Sequence, residues 1–190
     1  MPSWIEFRLG CQGLYRLARF DRNFLGYFDR STAGVLRSFG LLVPLTPLFL
    51  ALVWADHDQS IPSAGLYLSA KALAYVYNWI LLPFVILTAG RLLDRGNDAP
   101  GCIAVYNWAS VLWIALQLPA TALVLVGAPG LAQVLGLAIF AVSLAVEGFL
   151  FVAAMRIALW QAAALVAIDV VLTQAVIWPI SEWLGGALAG

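Results

Sequence analysis

Residues 131–183 read LAQVLGLAIFAVSLAVEGFLFVAAMRIALWQAAALVAIDVVLTQAVIWPISEW, a nearly unbroken apolar run from Leu131 to Trp183. At about 50 residues it is too long for one bilayer crossing, which takes roughly 20, and right for two. Arg156 is the one basic residue in the run, and Trp160 and Gln161 come soon after it. A turn is therefore expected near 156–161, although no Gly or Pro marks it, with spans at about 133–155 and 159–180. Deep in each span stands a carboxylate, Glu147 in the first and Asp169 in the second.

Composition extends the membrane reading to the whole chain. Its 190 residues are 63% apolar and the mean hydropathy is +0.93, whereas water-soluble domains run nearer half apolar. Strand-like alternation is missing, so helices must satisfy the backbone inside lipid. The expected fold is an all-α integral membrane protein: five transmembrane helices preceded by an amphipathic interfacial helix. Eight Trp and six Tyr suit a chain that crosses many water–lipid boundaries.

Residues 1–33 form the expected cytoplasmic arm, and residues 34–183 the membrane domain. Trp4, Phe7, Cys11, Leu14 and Ala18 recur at steps of three and four, a stripe suited to lying on a membrane. Arg8, Arg16, Arg19 and Arg22 are the expected contacts with anionic headgroups. Glu6, Asp21 and Asp29 are interleaved among these bases, which argues against nucleic-acid binding. Charges throughout residues 1–30 leave no continuous apolar segment, so a cleaved signal peptide is not expected. Phe20-Asp21-Arg22 and Phe28-Asp29-Arg30 echo one another around Gly26 and suggest a second interfacial turn, after which Ser31 or Thr32 caps the first span.

The first span is expected at about 35–54, bent or locally broken by Pro44 and Pro47. The second runs over about 66–89, with Lys71 snorkelling near its outer end, and the third over about 102–126. Gly127-Ala128-Pro129-Gly130 is a tight turn, and 184–190 a short external tail. Arginines precede span one and recur at Arg91, Arg95 and Arg156 in alternate connections, while the other connections carry none. The positive-inside rule then puts the amino terminus in the cytoplasm and the carboxyl terminus outside. Arginine-heavy, lysine-poor, alanine-rich usage suits a GC-rich bacterial genome, so the expected location is a bacterial inner membrane. Cys11 and Cys102 both fall on the cytoplasmic side and make no disulfide scaffold.

Counted from the turn, Glu147 and Asp169 sit at similar depths, ~12 and ~15 Å along their helices. Neighbouring antiparallel helices would let them face one another, with Ser143 and Thr173 one turn away on the same faces. Two acids in a low dielectric without a nearby cation do not both stay ionised cheaply; they share a proton, or a cation joins them. That points to a proton or cation site, or alternatively to polar glue between helices. Val76-Tyr77-Asn78-Trp79 repeats as Val105-Tyr106-Asn107-Trp108, but the two copies lie at different depths, which excludes a symmetric inverted repeat. Interhelical hydrogen bonding by the asparagines with aromatic packing is the expectation, and the depth of Gln117 makes it a partner for Asn78. His57 between Asp56 and Asp58 reads as a solvated external loop. No metal box, phosphate loop or nucleophile–base set occurs, so neither an enzyme nor a cofactor is expected.

Phe28-Asp29-Arg30-Ser31 through Arg37-Ser38-Phe39, leading into the first span, and Tyr106-Asn107-Trp108-Ala109-Ser110 in the third resemble small bacterial proteins of the Yip1-domain layout. The resemblance implies a multi-pass helical bundle that assembles with other membrane subunits or with itself, and no catalytic residues. The Tyr-Gly-Pro type motifs of eukaryotic members are absent. Two functional readings result: a non-catalytic scaffold or accessory subunit, or a small transporter or channel-like protein that handles protons or cations with Glu147 and Asp169.

Overall fold

The computed structural model describes residues 2–55 and 64–188, with side chains described through residue 175. All secondary structure among these residues is helical. Helix α1 spans Trp4–Ala18, and a 3-10 turn covers Arg22–Tyr27. Helix α2 (Thr32–Ser38) passes through a 3-10 turn, Phe39–Leu41, into α3 (Leu42–Ala55). Helices α4 (Ala64–Leu92), α5 (Ala99–Leu125), α6 (Pro129–Met155) and α7 (Leu159–Leu188) complete the chain.

Four stretches are long and apolar enough to cross a membrane: Thr32–Ala55, Gly65–Leu92, Ala99–Leu125 and Pro129–Met155. A shorter apolar stretch, Leu159–Ala175, comes after them, and the backbone of α7 continues as helix beyond the expected end near residue 180. Large apolar side chains such as Ile80, Phe84, Leu131, Val134 and Leu137 are exposed on the outside of this bundle, as lipid contact requires. Asp56, His57 and Asp58 lie outside the described residues.

The first of these stretches is broken where proline chemistry allows. Pro44 falls in the opening turn of α3, where its missing N–H has no intrahelical acceptor to lose. Pro47 is inside the helix, and the Thr46 hydroxyl donates back to the Leu42 carbonyl at 2.7 Å.

The arm packs on the bundle through a face other than its apolar stripe, most of which stays exposed. Ser3 and Glu6 close a capping box at the start of α1. The face turned inward is Gly10, Gly13, Leu14 and Leu17, while Trp4 is 72% exposed and Cys11 and Ala18 are also exposed. Of the expected stripe, only Leu14 is buried. Two glycines let the helix backbone approach Phe28 and Trp108 more closely than any stripe of larger residues permits. Asp21 caps the 3-10 turn and Ser31 caps α2, through the N–H groups of Asn23 and Gly34.

Helix α1 packs on α5 and α6, and α2 on α5, so the arm covers the end of the bundle where α5 begins and α6 finishes. Phe24 is fully buried there, 5.8 Å from the ring of Phe149. With Leu17, Phe28, Cys102, Ile103, Leu150, Phe151 and Met155 it makes a dense core. In the rest of the bundle α3 lies against α4 and α5, α4 against α5 and α7, and α6 between α5 and α7.

Candidate functional site

The α6–α7 connection sets the register of the two acid-bearing helices. Helix α6 ends at Met155, Arg156 takes a left-handed conformation (φ 54°, ψ 42°), and α7 starts three residues on. The Gln161 side chain accepts the Ala158 N–H at 2.9 Å. The chain thus reverses within the stretch expected from the charge pattern, and α6 and α7 run back to back. A connection this short keeps the two helices adjacent and in fixed register.

That register brings Glu147 and Asp169 to the wall of one open-sided cavity of about 890 Å³, lined by α3, α4, α5, α6 and α7. Ser143 and Thr173 line it, as do Asn78 and Gln117. On α6 the lining positions run from Glu147 to Pro129, ~27 Å of helix. The acids therefore sit at the inner end, next to the dense core, and the cavity extends away from the arm.

Glu147 is only 6% exposed, and its Oε1 atom is fully buried and receives no hydrogen bond from any described residue. The carboxyl group that interacts with it is that of Asp169, which lines the same cavity from α7. Tyr106 on α5 donates its hydroxyl towards Asp169 Oδ2 at 3.5 Å, the outer limit of a hydrogen bond. Among the described residues, no Lys, Arg or His lines the cavity. The two carboxyl groups have no counter-charge among these residues, so a proton or a cation has to supply it.

The other polar residues divide between site and scaffold. Asn78 donates to the Thr173 hydroxyl at 3.4 Å, not to Gln117, because α4 packs beside α7. Asn107, the matching residue of the repeated tetrapeptide, donates to Ser38 Oγ at 2.9 Å, and that hydroxyl donates to the Val35 carbonyl at 2.7 Å. These are interhelical asparagine bonds of the kind anticipated, tying α4 to α7 and α5 to α2. Lys71 stands over the Tyr67 ring, 5.4 Å from its centroid.

The aromatic wall is the feature that residue-by-residue reading misses. Tyr75, Trp79, Tyr106 and Trp113 line the cavity together with Phe49 and Phe140. Three of these lie in or beside the repeated tetrapeptides, where the asparagines are the conspicuous polar residues and the rings read only as packing. Phe49 and Tyr75 stack with centroids 4.3 Å apart, and Tyr106 lies parallel to Phe151 at 6.2 Å.

The four arginines expected at the membrane surface behave differently from one another. Arg16 bonds to Asp21 at 2.6 Å and stands over the Tyr27 ring; Arg19 donates to the Tyr15 hydroxyl at 2.7 Å. Both guanidinium groups are engaged within the arm, although Arg19 is exposed, as are Arg8 and Arg22. Arg37 bridges Glu6 at 2.8 Å and also binds Asp29. The Ser3 backbone N–H, with Arg37 in support, lowers the pKa of Glu6; bonds from Ser31, and then Arg37, lower that of Asp29. Arg156 reaches Asp98 at 3.7 Å, across the connection that precedes α5.

Among the described residues, no group of three or more His, Cys, Asp or Glu side chains is placed to hold a metal ion. Cys11 is exposed and Cys102 buried, and both are free thiols. Compared with known proteins, the chain matches no family model, no curated protein and no solved structure.

Proposed function

We propose that this chain is a five-span protein of the bacterial inner membrane, amino terminus in the cytoplasm and carboxyl terminus outside, that works as a small proton-linked cation transporter. The observation carrying this reading is the buried Glu147 Oε1 atom, without a hydrogen-bond donor among the described residues, beside Asp169 at one end of a large cavity. A carboxyl pair with no counter-charge among these residues alternates between holding a proton and holding a cation, and that alternation couples the two. In liposomes carrying a pH gradient, a transported cation should dissipate the gradient through the purified protein. Glu147→Gln and Asp169→Asn should each abolish the response. Unchanged flux in both variants would remove the transport reading.

A second reading, a scaffold or accessory subunit working with other membrane subunits or as a homo-oligomer, is supported by the Asn107–Ser38 and Asn78–Thr173 bonds. These use polar side chains to join helices rather than to meet a ligand. The Yip1-like layout points the same way. Under this reading a partner co-purifies in mild detergent, and both acid variants retain function.

A further inference from the structure

Building on the transport reading, we propose that the cavity takes a hydrophobic organic monocation, held with its charge against the Glu147–Asp169 pair and its apolar groups against the ring of aromatic side chains. Size points first to such a ligand. A cavity of about 890 Å³ falls in the range that encloses drug-sized molecules, ~300–1,000 Å³. A proton or a bare metal ion needs no such space.

The donor set points the same way. Two carboxyl groups, with no third His, Cys, Asp or Glu grouped with them among the described residues, are a poor cage for a divalent ion, which takes six or more oxygen ligands or a tetrahedral N/S set. Once the pair shares a proton it presents a single negative charge. One positive charge neutralises it.

The walls supply the rest. Tyr75, Trp79, Tyr106 and Trp113 line the cavity, and aromatic rings attract a delocalised or alkylated cation that water holds only weakly. Tyr75 and Tyr106 are backed by Phe49 and Phe151, which restricts their rings. Away from the acids the polar lining is neutral, with Ser110, Gln117, Thr121 and Gln133 among it. Among the described residues nothing there competes with Glu147 and Asp169 for the charge.

Protons and the ligand compete for the same carboxyl pair. The titratable groups facing Glu147 are Asp169 on α7 and, on α5, the Tyr106 hydroxyl and the Cys102 thiol, with Tyr75 on the α4 wall. None is a base, so acidification removes negative charge and adds no other counter-charge.

The test is a titration of the detergent-solubilised full chain with tetraphenylphosphonium, followed calorimetrically and by the fluorescence of the wall tryptophans. Neutral triphenylphosphine oxide and Mg²⁺ serve as controls. Binding of tetraphenylphosphonium should saturate, weaken as the pH is lowered, and fall about tenfold or more when Glu147→Gln and Asp169→Asn are combined, which removes the negative charge that either acid alone could still carry. Glu147→Asp should keep part of the affinity. Trp113→Ala should lose affinity while both acids remain, a loss not explained by charge alone. Equal binding of the neutral analogue, or undiminished binding in a folded variant carrying both Glu147→Gln and Asp169→Asn, overturns the proposal. Absence of saturable binding alongside a persisting Glu147-dependent proton flux refutes the ligand class alone; absence of both refutes the transport reading as well.

Discussion

A Cβ atom added at Gly10 would lie 2.5 Å from Cζ3 of Trp108, so the backbone of the arm rests directly on an indole of α5. Trp108 has no room to retreat: it is 6% exposed, with the rings of Phe7 and Phe28 6.2 and 6.1 Å away. Gly10→Ala should therefore destabilise the arm. Overpacking costs about 1–3 kcal/mol, and the better helix propensity of alanine offsets up to about 1 kcal/mol of that. Thermal unfolding in detergent should show the loss, and Trp108→Leu combined with Gly10→Ala should recover part of it. Strict additivity of the two changes would mean that the contact is not the cause.

Acid should loosen the arm before it affects the helices beneath. Glu6 and Asp29 both have pKa values lowered below 4.5 and 3.8, through bonds from Ser3 and Ser31 respectively, each supported by Arg37. For carboxyl groups lowered on folding, the stabilisation is fully present above the ordinary values and is lost as pH falls through the lowered ones. The arm should stay docked at pH 5 and become pepsin-sensitive below ~pH 4. Arg37→Ala should make it sensitive at higher pH. Equal digestion of residues 2–38 at pH 5 and pH 3 would show that the Glu6–Arg37–Asp29 group does not hold the arm.

Arg156 holds a backbone conformation that usually selects glycine. Arg156→Gly and Arg156→Ala both delete the 3.7 Å pair with Asp98, whose arginine side chain is 68% exposed and whose contribution is correspondingly small. They differ in the left-handed turn. The glycine variant should be more stable than the alanine variant by about 1 kcal/mol, measured by thermal unfolding in the same detergent. Equal stabilities would mean that the turn relaxes to accommodate a side chain at no cost.

The same residue shows what the sequence makes legible. Hydropathy and length are strong constraints on a helix that must satisfy its own backbone in lipid, so the four long apolar stretches begin and end within a few residues of their expected limits. The α6–α7 turn is betrayed by the charge of Arg156, although the left-handed position carries no glycine to announce it. From that turn the matched depths of Glu147 and Asp169 come by counting. The arm is different, because which face of α1 turns inward depends on Trp108, nearly a hundred residues away, fitting against Gly10, and on Phe28 fitting against Gly13. The partner of Asn78 is likewise illegible, since depth alone favours Gln117 and only the packing of α4 on α7 selects Thr173. The cavity depends on which helices keep apart, a property that no single segment encodes.

The two asparagines of the repeated tetrapeptide should respond unequally to substitution, because their surroundings differ. Asn107 is 2% exposed and donates to Ser38 Oγ at 2.9 Å, a short bond that ties α5 to the end of α2. Asn78 is partly exposed to the cavity, and its bond to Thr173 is long at 3.4 Å. Asn107→Ala removes a buried interhelical bond and leaves a void, which should destabilise the fold by about 1–2 kcal/mol. Ser38 keeps its bond to the Val35 carbonyl, so no second polar group is orphaned and the loss stops there. Asn78→Ala should cost less than about 0.5 kcal/mol, since water in the cavity replaces a weak bond. Unfolding in a graded detergent series measures both. Equal losses would mean that the repeat acts as two equivalent helix clamps, and the distinction between a buried, tightly bonded Asn107 and a partly exposed, weakly bonded Asn78 would fall.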